Sequence, residues 1–177
     1  MNDLIYKKVK DYFCKLPPEG THEYEKMIFK YSEFCSNLEY LEVFQYMLSF
    51  DKEWAYEAFY LLCSYYRRNK DFAFMNELLQ RHKEFKNHLT YNHILVQYMV
   101  HSESFYDYEG LLKMAFEDAV KMNDVAGFQQ AFCNAFATIC EQCNEKDKNY
   151  IISKWYECAL DRINHAISLD PKYAKFY

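Results

Sequence analysis

Residues 21–109 contain neither glycine nor proline, and all 177 residues hold only three of each. Sandwiches, barrels and Greek keys need many tight turns built from residues that tolerate positive φ, so this scarcity excludes them. Gly20, Gly110 and Gly127 stand singly. A phosphate-cradling loop or a dinucleotide fingerprint needs clustered glycines for close backbone approach, so both are excluded too. A helical chain remains. It is rich in rings, with 18 Tyr, 15 Phe and 2 Trp, so aromatics must fill core positions usually held by Leu and Val.

Charge narrows the range of partners. The formal net charge is −5, and residues 101–150 alone carry −5. Such a balance favours solubility and disfavours nucleic acid as a partner. The opening residues MNDLIYKKVKDYF mix charge with apolar side chains and so lack the apolar core of a secretory signal. No apolar run is long enough to span a bilayer, and no membrane contact is expected. Seven cysteines, an odd number, sit within apolar helical patterns. The expectation is a cytoplasmic protein whose free thiols act as small hydrophobes.

Apolar residues recur every three or four positions along most of the chain. Leu4, Ile5, Val9, Tyr12, Phe13 and Leu16 place one helix at 2–16, which Pro17 and Pro18 end because proline lacks the donor a helix interior needs. Thr21 can cap the next helix. Hairpins then follow: 22–35 with 38–49, 52–68 with 71–85, 89–102 with 107–122, and 124–143 with 147–168. Asp51, Asp71, Asp107 and Asp124 stand near four of the predicted helix starts, where a carboxylate accepts from unpaired backbone N–H groups. Trp54, Ala58, Leu61, Leu62 and Tyr65 form one core stripe. Another contains Ile151, Ile152, Trp155, Ala159, Ile163, Ala166 and Ile167. The expected layout is an N-terminal helix and turn over 1–20, followed by about four hairpins over 21–177.

The segment Ala159-Leu160-x-x-Ile163-x-x-Ala166-Ile167-x-Leu169-Asp170-Pro171-x-Tyr173-Ala174 resembles the second helix and closing turn of a tetratricopeptide repeat. Ala159, Ile163, Ala166 and Pro171 match the family's small, bulky, small and proline positions, and Tyr150 falls on its first-helix tyrosine. The tryptophan, leucine and glycine positions fall instead on Cys143, Lys146 and Asp147. Trp54, Ala58 and Phe74 imitate the pattern earlier in the chain, although Lys70 and Glu77 occupy positions that should be small. Hairpins begin near 22, 52, 89 and 124, close to the family's repeat length. The resemblance implies an all-α fold of antiparallel helical hairpins, stacked as a right-handed superhelix. It also implies a non-catalytic module for interaction, sensing or oligomerisation, which takes a peptide or protein or associates with itself. Asp170-Pro171 and the residues through Tyr177 read as the opening of a further helix, so the natural chain is expected to continue into a larger protein.

Tyr65, Tyr66, Tyr91, Tyr98, Tyr106 and Tyr108 are the candidate binding aromatics, since tyrosine gives contact area at low entropic cost. One catalytic alternative remains. Arg81 and His88, an arginine followed after six residues by a histidine, resemble the motif of HEPN ribonucleases. That likeness implies histidine as acid–base and arginine on the phosphate, within a locally basic stretch over 67–88. Cys140 and Cys143 form a lone CxxC, with Cys158 the nearest further thiol by pattern, and read as packed thiols rather than a zinc site. No cofactor or metal is expected.

Overall fold

The computed structural model describes residues 2–32, 37–102 and 107–172. The described residues are helical with short connections and contain no strand, as the all-α expectation required. In chain order the helices are α1 Asp3–Phe13, α2 His22–Ser32, α3 Leu38–Phe50, α4 Ala55–Arg68, α5 Phe72–Arg81, α6 Tyr91–Ser102, α7 Tyr108–Lys121, α8 Ala126–Gln142 and α9 Glu145–Leu169. A 3-10 helix, Lys83–Asn87, lies between α5 and α6. None of these helices is long and apolar enough to cross a membrane.

Caps explain the boundaries. Thr21 Oγ1 accepts from Tyr24 N at 3.2 Å, as its sequence position predicts. Asp107 accepts from Gly110 N at 2.8 Å and Asp71 from Phe74 N at 3.4 Å. Asp51 instead accepts from Glu53 N within the turn before α4, which starts only at Ala55. Val125 takes the N-cap position of α8 expected for Asp124. Asn2, Asn37 and Asn144 also cap helices, and Asn144 starts α9 earlier than the apolar stripe indicates. The helix predicted over 71–85 stops at Arg81. The chain leaves helical geometry at His82, whose ring stacks on Phe85 at 5.7 Å and whose Nδ1 lies 2.9 Å from Glu84.

The chain forms two compact units, 1–94 and 95–177. In the first, α3 packs on α4 and α4 on α5, while α1 also packs on α3 and α2 on α4. Its core is aromatic: Phe13 lies 6.5 Å from Phe44 and 5.7 Å from Trp54, and Phe59 stacks on Tyr91 at 6.0 Å. In the second unit α8 packs on both α7 and α9. Leu112, Phe132, Ala135, Ile139 and Ile151 are buried there, with Trp155 edge-on to Phe116 and Phe132.

Two turns show how side chains and backbone settle local demands. After α4, Lys70 N donates to Arg67 O and Asp71 N to Tyr66 O, the paired bonds of a Schellman stop. That stop puts Lys70 at φ 57°, a conformation costly for any residue with a Cβ. Position 70, expected as a small packing residue, therefore lies in the turn before α5. At the end of α7 the fully buried Gln129 donates through Nε2 to the carbonyls of Ala119, Met122 and Asn123, at 2.7, 3.0 and 3.3 Å. Arg162 reaches Asn123 Oδ1 at 3.0 Å, and His165 Nε2 lies 2.7 Å from Asn123 O. Gln129 satisfies carbonyls that a helix end leaves open, and Arg162 adds a cationic donor near its negative pole.

Lys70→Gly should raise stability in urea unfolding by about 0.5–1 kcal/mol, because glycine adopts the left-handed position without strain. Gln129→Leu should lower it by about 1–3 kcal/mol by stranding buried carbonyls at the end of α7.

Candidate functional site

The structure sorts the predicted tyrosines by burial. Tyr65 and Tyr66 are half-buried near the end of α4, with rings 5.2 Å apart, and Phe74 of α5 stacks on Tyr66 at 5.4 Å. They form an accessible ring cluster. Tyr91, expected as a binding aromatic, is core instead: it is buried against Phe59 and donates to Leu79 O at 3.3 Å. Tyr98 and Tyr108 are half-buried, and Tyr108 packs against the core of the second unit. Tyr106 lies outside the described residues, as do 173–177, where a further helix was expected to open.

Among the proposed packing residues, Ala58, Ala159 and Ala166 are buried and Ile163 packs against the second core. Trp54 packs its ring on Phe13 just before α4. Phe74, Tyr150 and Pro171 are exposed. Tyr150 faces outward because one residue turns a helix by about 100°, and the buried face of α9 begins at Ile151. Its hydroxyl donates to Glu109 at 3.3 Å, and Lys154 bridges to the same carboxylate.

α9 carries a second apolar row that its periodicity blurred into the first. Ile152, Tyr156 and Leu160 recur every four residues and are 37%, 51% and 41% exposed. The inward row, Ile151, Trp155 and Ala159, lies next to them on the helix.

Arg81 and His88 serve different neighbours. Arg81 is exposed and pairs with Glu77 at 2.5 Å on its own helix. His88 stacks on Tyr56 at 3.6 Å, and its Nδ1 lies 3.1 Å from Glu19 Oε2. The same carboxylate accepts from Thr90 N and Thr90 Oγ1 through Oε1, both at 2.9 Å. The geometry gives His88 a tethering position in the first unit.

Around that tether lies a polar cluster that the sequence did not announce. Tyr56 OH and Thr90 Oγ1 are 2.5 Å apart, and Tyr60 OH donates to Glu25 Oε2 at 2.9 Å. Burial pushes the Glu25 carboxyl up to about 7, against the effect of the Tyr60 hydrogen bond, and nearby Glu19 adds to the rise. Glu57 is raised too, mainly by burial. Tyr24 and Tyr56 also lie close enough to feel the Glu25 charge. Burial, with Arg67 nearby, holds His93 down at about 4. The cluster can hold a proton on Glu25 near neutral pH.

Cys63 and Cys133 are buried thiols, and burial raises both. Burial pushes Cys133 up to about 12, and its Sγ lies 3.5 Å from Ala159 O. Among the described residues, no three His, Cys, Asp or Glu side chains are placed to hold a metal ion.

Because the folded state holds the Glu25 proton more tightly than the unfolded chain does, the contribution of this residue is greatest at acid pH and declines as pH rises through about 7. Glu25→Gln keeps an acceptor for Tyr60 and removes the titration. Urea unfolding between about pH 5 and pH 8 should show a flatter stability profile for this variant, with a gain at the alkaline end. An unaltered profile would remove Glu25 as its source. No protein-family model, curated protein or solved structure matches this chain, so its residues and their geometry carry the functional reading.

Proposed function

We propose that this chain is a non-catalytic helical-repeat module of tetratricopeptide-like build, which binds a helical protein segment or a second copy of itself. The observation that carries this reading is the outward row Ile152, Tyr156 and Leu160 on α9. A hairpin in a repeat array has one apolar face for its own partner helix and another for a neighbour. α9 has both rows, and its inward one is already in use against α8. Packing of α1 on α3 and of α2 on α4 supports the repeat reading, because stacked hairpins bring alternate helices together.

The row consists of one aromatic and two aliphatic side chains at helical spacing, which suits the apolar stripe of an amphipathic helix. Such an interface draws most of its strength from a few central anchors, and Tyr156 occupies the centre of this one. Polar neighbours, Ser153 and Glu157 among them, would form the rim.

Light scattering across a concentration series tests self-association, and selection from a displayed library of amphipathic helical peptides tests the alternative occupant. Tyr156→Ser with Leu160→Ser should abolish either the mass increase or the selected binding, by about a hundredfold in affinity. A chain that stays monomeric and selects no helix contradicts the proposal. So do ligands whose binding survives both substitutions.

A further inference from the structure

α1 uses its lysines in two ways. Lys10 is spent within the fold, its Nζ 3.7 Å from Asp51 and 3.5 Å from Glu53. On the outer side, Leu4, Lys7, Lys8 and Asp11 recur at helical spacing, and Lys15 follows just beyond the helix end. Lys30 of α2 faces them across a groove of about 570 Å³. Tyr12 lines the same groove, and its hydroxyl donates to Met27 O at 2.8 Å, which pins α1 to α2. The two walls are thereby held together by a bond independent of any ligand.

Lys7, Lys15 and Lys30 bring three positive charges to this groove. Among the described residues Lys7, Lys15 and Lys30 form no ion pair, and Asp11 is the sole acidic residue lining the groove. Lys8 sits 5.9 Å above the Tyr40 ring and keeps its charge at the rim. The chain as a whole is acidic, so this is a local concentration of positive charge against the general balance. Leu4, 78% exposed, stands among the lysines as an apolar contact that simple solvation does not require.

We propose that the α1–α2 groove is a docking site for an acidic protein segment with an apolar anchor. Carboxylates of the segment pair with Lys7, Lys15 and Lys30, while an aliphatic or aromatic side chain rests on Leu4 and Tyr12. Two features favour such a segment over a nucleic acid. Leu4 and Asp11 offer a phosphate backbone nothing, and the net negative charge of the chain repels a long polyanion. From Leu4 to Asp11 the groove follows α1 for about 10 Å, or two helical turns, which suits a short peptide. The site rests on different residues from the α9 row.

The probe is a fluorescein-labelled synthetic peptide with glutamates along one helical face and a single leucine among them. Fluorescence anisotropy on the full chain should show saturable binding that weakens with added salt. Lys7→Glu with Lys30→Glu should weaken it by at least about tenfold, since each exposed pair contributes a few-fold and reversal adds repulsion. Lys52→Glu with Lys83→Glu makes the same change in net charge outside the groove and should leave affinity within about twofold. Replacing the peptide leucine with serine should also cost about tenfold. Lys7→Gln with Lys30→Gln repeats the test should the reversed variant lose its circular-dichroism melt. The proposal is overturned if groove and control variants weaken binding equally, if the serine peptide binds as well, or if a single-stranded oligonucleotide of equal charge binds as tightly. Absence of saturable binding by the peptide overturns it as well.

Discussion

A phenol ring that takes the place of leucine in a helical core brings a hydroxyl that costs free energy unless it finds a partner, and many contacts in this structure follow from that constraint. Tyr60 meets it with Glu25, Tyr56 with Thr90, and Tyr91 with the carbonyl of Leu79. Closer to the surface Tyr6 donates to Asp51, Tyr12 to Met27 and Tyr150 to Glu109. Nearly every such bond joins two different elements. The aromatic composition thus brings its own set of fastenings, and these specify which helix lies against which more narrowly than apolar contact alone.

The same constraint draws carboxylates inward. Glu25 is buried with an elevated proton affinity, and Glu19 gathers Thr90 and His88 from the far end of the first unit. Removing one member of such a cluster leaves the others unpaired in a poorly solvated place, which costs more than the bond itself contributes. His88 is therefore best understood through its neighbours. A histidine stacked on Tyr56 and tied to a carboxylate holds chain segments together.

Local signals in the sequence account for most of the helices. Thr21, Asp71 and Asp107 cap where their chemistry indicated, and the three- and four-residue spacing finds each helix. Its failures have causes beyond the local window. Asp51 and Asp124 have capping chemistry but sit in turns where a neighbour takes the cap position. Lys70 looks like a mismatched packing residue and proves to be a left-handed stop. On α9, Ile151 and Ile152 look equivalent in sequence, yet one is buried and the other belongs to the outward row.

By itself the sequence determined the helical class, the approximate breaks, the aromatic character of the core and the acidic balance. These depend on spacing and composition along a few turns of chain, which no distant contact can alter. Only the tertiary structure decided that Tyr91 is core while Tyr66 is accessible, and that Arg81 and His88 serve separate neighbours. It alone brought lysines from α1 and α2 to one groove and left Leu4 among them. Burial and charge clustering arise between elements remote in sequence, and periodicity within one helix does not say which of its faces another helix will cover.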